Sequence, residues 1–237
     1  MRARLLWIDQ ARTVALVGMV AFHTVFDFAS FGLLPADLSR SPFWWSLARV
    51  VAFSFILIAG ISLFLAHGAG LRPRPFLRRL AVLAAAAAAV SAVTYLAVPG
   101  AFVYFGILHS IALSSVIGLA FLRAPALVTL AAGLGAMALP RYLSGGVFDH
   151  PALVWTGLAT QYPPSMDYVP TFPWLGPFLL GLALAQGTRG WRLWRGASAA
   201  PSALARALAW PGRHSLGVYL LHQPILFGLA ALLARLT

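Results

Sequence analysis

The sequence predicts an all-α, polytopic membrane protein with about seven transmembrane helices in one bundle. Hydrophobic residues make up 61% of the chain, charged residues make up 9%, and the mean hydropathy is +0.85. Apolar runs near the roughly 20 residues that a helix needs to cross a bilayer recur along the chain. Because no long polar linker divides these runs, we expect residues 1–237 to form a single domain.

The apolar runs define seven expected spans, and the fifth and sixth are short. The spans cover residues 5–31, 44–66, 80–98, 102–122, 126–139, 172–186 and 215–236. The segment 141–171 is the longest expected outer loop, with a turn near residues 152–158. Segment 188–213 mixes glycine, serine, proline and arginine, which predicts a flexible basic connection.

The arginines orient these spans. All 17 basic residues are arginines, of which 13 fall on one side of the expected membrane, three fall on the other and Arg49 lies within the second span. The positive-inside rule then predicts a cytoplasmic N-terminus and an exoplasmic C-terminus. The net charge of +12 is explained by topology and contact with membrane lipids, so we expect no nucleic-acid partner. Arginine without lysine and an alanine-rich third span are typical of a GC-rich bacterial genome, which indicates a bacterial plasma membrane.

Four ionisable residues interrupt the apolar first span and form one stripe. At 100° per residue, Asp9, Arg12, His23 and Asp27 fall within a face about 60° wide. Each intramembrane charge costs roughly 2.5 kcal/mol or more unless it faces protein or trapped water. The stripe therefore predicts a polar path through the bundle.

Two pairs within this stripe have spacings that allow contact on one helix face. Asp9 and Arg12 are three residues apart, so they can form a local ion pair, or Arg12 can meet an anionic ligand arriving from the cytoplasm. His23 and Asp27 are four apart, so the carboxylate can bond one imidazole nitrogen and leave the other for use as a general base. Alternatively, His23 is a buried histidine paired with its acceptor.

Polar residues outside the first span have both structural and functional interpretations. His109 lies inside the fourth span at a depth similar to His23, and it is either an interhelical hydrogen-bond donor or part of a site. Asp167 precedes the sixth span and either caps that helix or faces the His23 side. In the last span, Pro224 is expected to open the helix beside His222 and Gln223, which serve either packing or ligand contact.

The composition of the chain excludes several kinds of site. The chain contains no cysteine, which excludes disulfides, thiol nucleophiles and thiolate metal sites, and it contains no glutamate. No glycine-rich phosphate loop and no helical metal-ligand pair is present, so we expect no metal cofactor.

Five ordered segments resemble the small bacterial proteins related to the catalytic region of heparan-α-glucosaminide N-acetyltransferase. The segments are Ile8-Asp9-Gln10-Ala11-Arg12, His23 with Asp27, Phe105-Gly106-Ile107-Leu108-His109, Phe172-Pro173-Trp174-Leu175-Gly176, and Gly212-Arg213-His214-Ser215-Leu216 continuing to His222-Gln223-Pro224. The first span also resembles type-3 membrane acyltransferases, in which an arginine precedes an essential histidine by eleven positions, as Arg12 precedes His23. Residues 33–43 contain no segment of the His-Ala-Pro-Trp-Asn type, so the resemblance does not imply heparan as the substrate.

The resemblance implies an acyltransferase that uses cytoplasmic acetyl-CoA or another acyl-CoA. The acceptor would be an amine or hydroxyl of an exoplasmic sugar, glycan or lipid headgroup. The implied catalytic residues are His23, Asp27, His109 and Asp167, and the implied cofactor-binding residues are Arg12, Asp9, Arg213, His222 and Gln223. Two other interpretations use the same polar stripe: a proton-coupled transporter, and a non-catalytic membrane partner. The oligomeric state stays open.

Overall fold

A computed structural model describes residues 5–191, 194 and 202–236 of the chain. Over these residues the protein is all-α, and no β-strand forms. The helices are α1 Leu6–Ser30, α2 Pro42–His67, α3 Pro73–Ala97, α4 Ile107–Phe121, α5 Ala126–Ala138, α6 Pro140–Leu143, α7 Thr171–Gly187, α8 Ala203–Arg213 and α9 Ser215–Leu233. The predicted all-α membrane protein is confirmed.

Among the described residues, four helices are long and apolar enough to cross a membrane. These are α1, α2, α3 and α9, with 25, 26, 25 and 19 residues. The other three expected spans correspond to α4, α5 and α7, with 15, 13 and 17 residues. At 1.5 Å per residue, a straight helix of 13 residues rises only about 20 Å against a hydrocarbon core of about 30 Å. The number of complete crossings therefore stays a prediction.

The connection before the last span differs from the expected flexible segment 188–213 over residues 203–213, while residues 192, 193 and 195–201 lie outside the described residues. Residues 203–213 form α8, which begins where the Ser202 hydroxyl accepts a hydrogen bond from the Ala205 amide at 3.1 Å. Alanine, leucine and arginine favour helix in this segment, and a serine N-cap satisfies one of its free amides. The expectation was wrong here because Pro211 and Gly212, which normally mark loops, lie within the last turn of α8. Helix α9 likewise continues through Pro224.

The chain divides into two compact units. The first comprises Met1–Phe55 and Gly190–Thr237, and the second comprises Ile56–Arg189. In the first unit, Leu16, Met19 and Val51 form a buried cluster that Val218 and Tyr219 of α9 cover. A division into two compact units does not decide whether each unit folds independently, so the expected single domain stays a prediction.

Helices α2 and α7 approach each other closely in the second unit. A Cβ atom on Gly60 would lie 1.9 Å from the carbonyl oxygen of Phe178, and one on Gly181 would lie 2.0 Å from that of Leu57. Each helix therefore presents a glycine to the backbone of the other, as is common where membrane helices pack through small residues. Phe178, which is fully buried, fills the space beside this crossing.

A short loop segment packs against the start of α4 in the same unit. A helical turn at Val154–Thr156 lies within the region where the sequence predicts a turn. The Tyr168 hydroxyl donates to the Val154 carbonyl at 2.6 Å, and Val169 donates its amide to the Phe105 carbonyl at 3.0 Å. These contacts fix the residues that follow Asp167 beside the residues that precede α4.

We expect Gly60→Ala to lower the midpoint of thermal unfolding in detergent. The added methyl group cannot fit between the helices, and overpacking of this kind costs typically about 1–3 kcal/mol, more than the roughly 1 kcal/mol that alanine gains over glycine in a helix. The matched control is Gly217→Ala in α9, where no atom outside its own helical turn lies within 4 Å of the new methyl group. A Gly60→Ala protein that is as stable as the control would contradict the close crossing.

Candidate functional site

An arginine cluster lies near the N-terminal end of α1. Asp9 is 2% exposed, and its Oδ1 accepts a hydrogen bond from Nη1 of Arg12 at 3.1 Å. On the other side of the carboxylate, Nε of Arg213 lies 3.6 Å from Asp9 Oδ2. The ion pair expected from the sequence is formed, and Arg213 joins it from the end of α8. Two guanidinium groups therefore share one buried carboxylate, which leaves a local charge of +1.

The close packing of α8 on α1 brings Arg213 to Asp9. A Cβ atom on Gly212 would lie 1.8 Å from the carbonyl oxygen of Asp9, so only glycine fits there. The Thr13 hydroxyl donates to the Asp9 carbonyl at 3.1 Å and accepts from the Gly212 amide at 2.9 Å. Gln10 donates to the Ala205 carbonyl at 3.2 Å. Sequence reasoning missed Thr13 and Gln10 because their partners lie almost 200 residues away.

A histidine cluster lies farther along α1, where α9 packs against it. The rings of His23 and His222 are 5.0 Å apart between centroids and meet edge to face. Asp27 is 1% exposed, and both its oxygens accept hydrogen bonds from Nε2 of Gln223, at 2.9 and 3.1 Å. The structure thus joins two predicted catalytic residues with two residues that the resemblance assigned to cofactor binding.

The expected hydrogen bond between His23 and Asp27 does not form in the described part of the chain. Asp27 instead accepts from Gln223, while His23 packs against His222 and the neighbouring Phe22 and Phe26 rings. A spacing of four residues permits contact on one helix face, but a donor from a packed helix competes for the same carboxylate. The prediction that Asp27 orients His23 by a direct bond is therefore wrong, although the carboxylate remains one turn from the imidazole.

Three buried polar atoms in this cluster have no partner among the described residues. They are Nδ1 of His23, Nε2 of His222 and Oε1 of Gln223. Most buried polar atoms in proteins are hydrogen-bonded, and the exceptions mark strain, function or a bound molecule. The cluster therefore has the open hydrogen-bonding capacity of a binding site.

His109 and Asp167 lie in the second unit, where both make contacts at the start of α4. Nδ1 of His109 accepts from the Gly106 amide at 3.2 Å, and its Nε2 lies 3.4 Å from the Ser91 hydroxyl. Oδ2 of Asp167 accepts from the Ile107 amide at 2.9 Å. These bonds satisfy amides that a helix N-terminus otherwise leaves free. The sequence left Asp167 either capping the following helix or facing the His23 side, and in the structure it caps the start of α4 instead of the following helix.

The contacts of His109 and Asp167 are those of structural residues. Both ring nitrogens of His109 have neighbours within the second unit, in contrast to the open nitrogens of His23 and His222. The prediction that these two residues complete a pocket around His23 stays a prediction. Their observed bonds explain the sequence Phe105-Gly106-Ile107-Leu108-His109 as a helix start.

Tyrosines beside this helix start hold the outer segment together. Tyr104 donates to the Pro163 carbonyl at 3.3 Å, and the rings of Tyr104 and Tyr168 are 5.4 Å apart. Burial, followed by the neighbouring Tyr162, raises the pKa of Tyr104 to about 12. Burial likewise raises the pKa of Tyr168. Both phenols therefore stay protonated and act as hydrogen-bond donors near neutral pH.

We expect Asp167→Ala to lower the thermal unfolding midpoint, because loss of a helix cap costs about 0.5–2 kcal/mol. The matched control is Asp37→Ala, which removes an exposed carboxylate that makes no side-chain cap bond in its turn. If Asp167 is structural, acyl-CoA turnover per folded molecule changes little in Asp167→Ala. Complete loss of turnover in a stably folded protein would show that the carboxylate takes part in the chemistry.

Comparison with known proteins adds one finding to this geometry. No curated protein and no solved structure matches the chain. The family model described as "Heparan-alpha-glucosaminide N-acetyltransferase, catalytic" matches residues 4–224, which include both the arginine cluster and the histidine cluster. The suspected relationship is confirmed, and the chain belongs to the heparan-α-glucosaminide N-acetyltransferase catalytic-domain family, a family of membrane acetyltransferases.

Proposed function

We propose that the protein transfers an acetyl or other acyl group from cytoplasmic acyl-CoA to an amine or hydroxyl of an exoplasmic sugar, glycan or lipid headgroup. The observation that carries the proposal is His23, whose Nδ1 is buried without a partner among the described residues, on the helix that also carries Arg12. Eleven residues separate the two, which is about three helical turns and about 16 Å. The family's acetyltransferase activity supports the same assignment.

The arginine cluster would bind the phosphates of the donor. Arg213 uses its Nε toward Asp9, and its side chain is 34% exposed, so its terminal amino groups are accessible to a ligand. Guanidinium groups suit phosphate because their fork donates two parallel hydrogen bonds. Asp9 would hold both arginines in place before the ligand binds. In this model the N-terminus is cytoplasmic and the C-terminus exoplasmic, as the arginine distribution predicts.

The histidine cluster would carry out the transfer. His23 Nδ1 takes the proton from the acceptor nitrogen or oxygen as that atom forms a bond to the acyl carbon. The carbon–sulfur bond breaks, its electron pair leaves on the coenzyme A sulfur, and the proton passes from His23 to that sulfur. The Asp27 carboxylate stabilises the transient imidazolium through space. If His23 carries the acyl group itself, an acyl-histidine accumulates when the acceptor is omitted.

Release of free coenzyme A tests this function directly. The chain contains no cysteine, so a thiol reagent detects the coenzyme A product without a signal from the protein. Acetyl-CoA, with ethanolamine present on both sides of the membrane as a small acyl acceptor, is added to vesicles that contain the purified protein in either orientation. The proposal expects release where the N-terminal side faces the acetyl-CoA. A transporter would move a solute or protons without releasing thiol, and an inactive partner would do neither.

We expect His23→Ala to abolish thiol release while the protein stays folded and inserted, because removing an intramembrane polar group costs no insertion energy. The matched control is His150→Ala, which changes an exposed loop histidine that bonds the Ala152 amide. Wild-type turnover in His23→Ala would remove the proposed mechanism.

We expect Arg12→Ala to weaken acetyl-CoA binding by on the order of 1.5–3 kcal/mol, the range for hydrogen bonds to charged groups. Arg12→Lys recovers only part, because lysine lacks the guanidinium fork. Asp9→Asn removes the carboxylate that holds both arginines in place, so we expect it to weaken donor binding as well as to lower stability. Arg40→Ala, on the expected opposite side, is the control. Unchanged affinity in Arg12→Ala, measured by titration calorimetry, would place the donor site elsewhere.

A further inference from the structure

His222 of α9 has one ring nitrogen whose protonation state is fixed by a backbone contact. Its Nδ1 lies 2.6 Å from the carbonyl oxygen of Tyr219. A carbonyl oxygen only accepts hydrogen bonds, so Nδ1 carries the proton of the neutral ring. The other nitrogen, Nε2, then presents a lone pair and acts as an acceptor. The side chain is 9% exposed, and this nitrogen has no partner among the described residues.

Gln223, the next residue, is held in one orientation by Asp27. A carboxylate only accepts hydrogen bonds, so the nitrogen of the Gln223 amide must face the two Asp27 oxygens, as observed at 2.9 and 3.1 Å. The amide oxygen Oε1 is consequently directed away from the carboxylate. It is buried and also lacks a partner among the residues that the structure describes.

Nε2 of His222 and Oε1 of Gln223 are therefore both hydrogen-bond acceptors. The contacts of these side chains with the Tyr219 carbonyl and the Asp27 carboxylate hold each of them in the orientation that presents the acceptor. They lie beside His23, whose ring meets that of His222 at 5.0 Å and whose helix carries Asp27 one turn later. A buried acceptor left unpaired costs roughly 1–3 kcal/mol, so a ligand group that donates is favoured here. Phosphate and thioester oxygens only accept, and the same atoms would repel them.

We propose that His222 and Gln223 form the acceptor subsite of the acyltransferase. They receive hydrogen bonds from N–H or O–H hydrogens of the molecule to be acylated other than the one that His23 takes, and so hold its nucleophilic atom beside His23. This inference rests on the proposed function and changes the roles expected from the resemblance, which assigned both residues to the cofactor. The donor thioester enters the cluster from its other side, without bonding to these two atoms.

Steady-state kinetics with ethanolamine, a small probe that carries both an amine and a hydroxyl, tests the subsite. We expect His222→Leu to raise the KM for ethanolamine by roughly tenfold or more, as for loss of a hydrogen bond, and to leave the KM for acetyl-CoA within about twofold. His222→Gln, which restores an acceptor oxygen, recovers part of the loss. His214→Leu is the control, since that exposed histidine also contacts a carbonyl through Nδ1. Equal increases in both KM values would overturn the proposal.

A paired substitution tests the orientation of Gln223 and avoids leaving Asp27 without a donor. Asp27→Asn alone allows the facing amide to turn, so we expect a higher KM for ethanolamine. The double variant Asp27→Asn/Gln223→Glu exchanges the amide and the carboxylate, and one oxygen at position 223 again faces the ligand. We expect the double variant to recover affinity for ethanolamine relative to Asp27→Asn. A double variant no better than the single one would contradict the fixed acceptor.

Nitrogen NMR of the histidine rings separates failure of this proposal from failure of the proposed function. The His222 signals are assigned by their loss in His222→Gln, and we expect a protonated Nδ1, a bare Nε2 and a shift of Nε2 when ethanolamine is added. A proton on Nε2 or no response to ethanolamine would overturn the subsite. Absence of thiol release in the wild type, together with an Nε2 response, would reject the acyltransferase and keep the subsite.

Discussion

Two carboxylates buried on one apolar helix impose the main constraint on the first unit. Asp9 and Asp27 are 2% and 1% exposed and lie on α1, about 27 Å apart at 1.5 Å per residue. A carboxylate at such a depth requires donors, and α1 itself supplies Arg12 to Asp9. Two further donors in the described part of the chain, Arg213 to Asp9 and Gln223 to Asp27, come from the C-terminal helices. The N-terminal and C-terminal ends of the chain are therefore joined by the need to satisfy two charges.

Asp9 and Asp27 contact different kinds of donor, so the electrostatic environments of the two carboxylates differ. Asp9 meets two cationic groups, so its end of the helix keeps a positive charge that suits an anion. Asp27 meets the neutral amide of Gln223, so its negative charge is not cancelled by that contact. In the proposed mechanism, this charge one turn from His23 would stabilise the transient imidazolium through space, without a direct bond. In the proposed function, one helix would thus carry both the end that binds the anionic donor and the end where the transfer takes place.

Composition and periodicity predicted the all-α membrane fold and the polar face of α1, because both depend on residues close together in the chain. The partner of Asp27 was not predictable, since the choice between His23 and Gln223 depends on how α9 packs. The capping role of Asp167 was hidden for the same reason: its partner, the Ile107 amide, lies 60 residues away. Helix α8 was missed because Pro211 and Gly212 resemble a loop, although Gly212 is required by the close contact with Asp9.

Hydrogen-bond satisfaction distinguishes the histidines more clearly than their position in the sequence does. His109 has a neighbour at each ring nitrogen, so it contributes to stability without any ligand. His23 and His222 each keep one buried nitrogen without a partner in the described chain. Each unpaired nitrogen lowers the stability of the fold, so a protein that bound no ligand would be more stable if these nitrogens were paired or removed. Such a cost is retained where a site must be ready for a molecule that arrives later. In the proposed function, the unsatisfied atoms, rather than the histidines as such, therefore mark where α1 and α9 would receive a ligand.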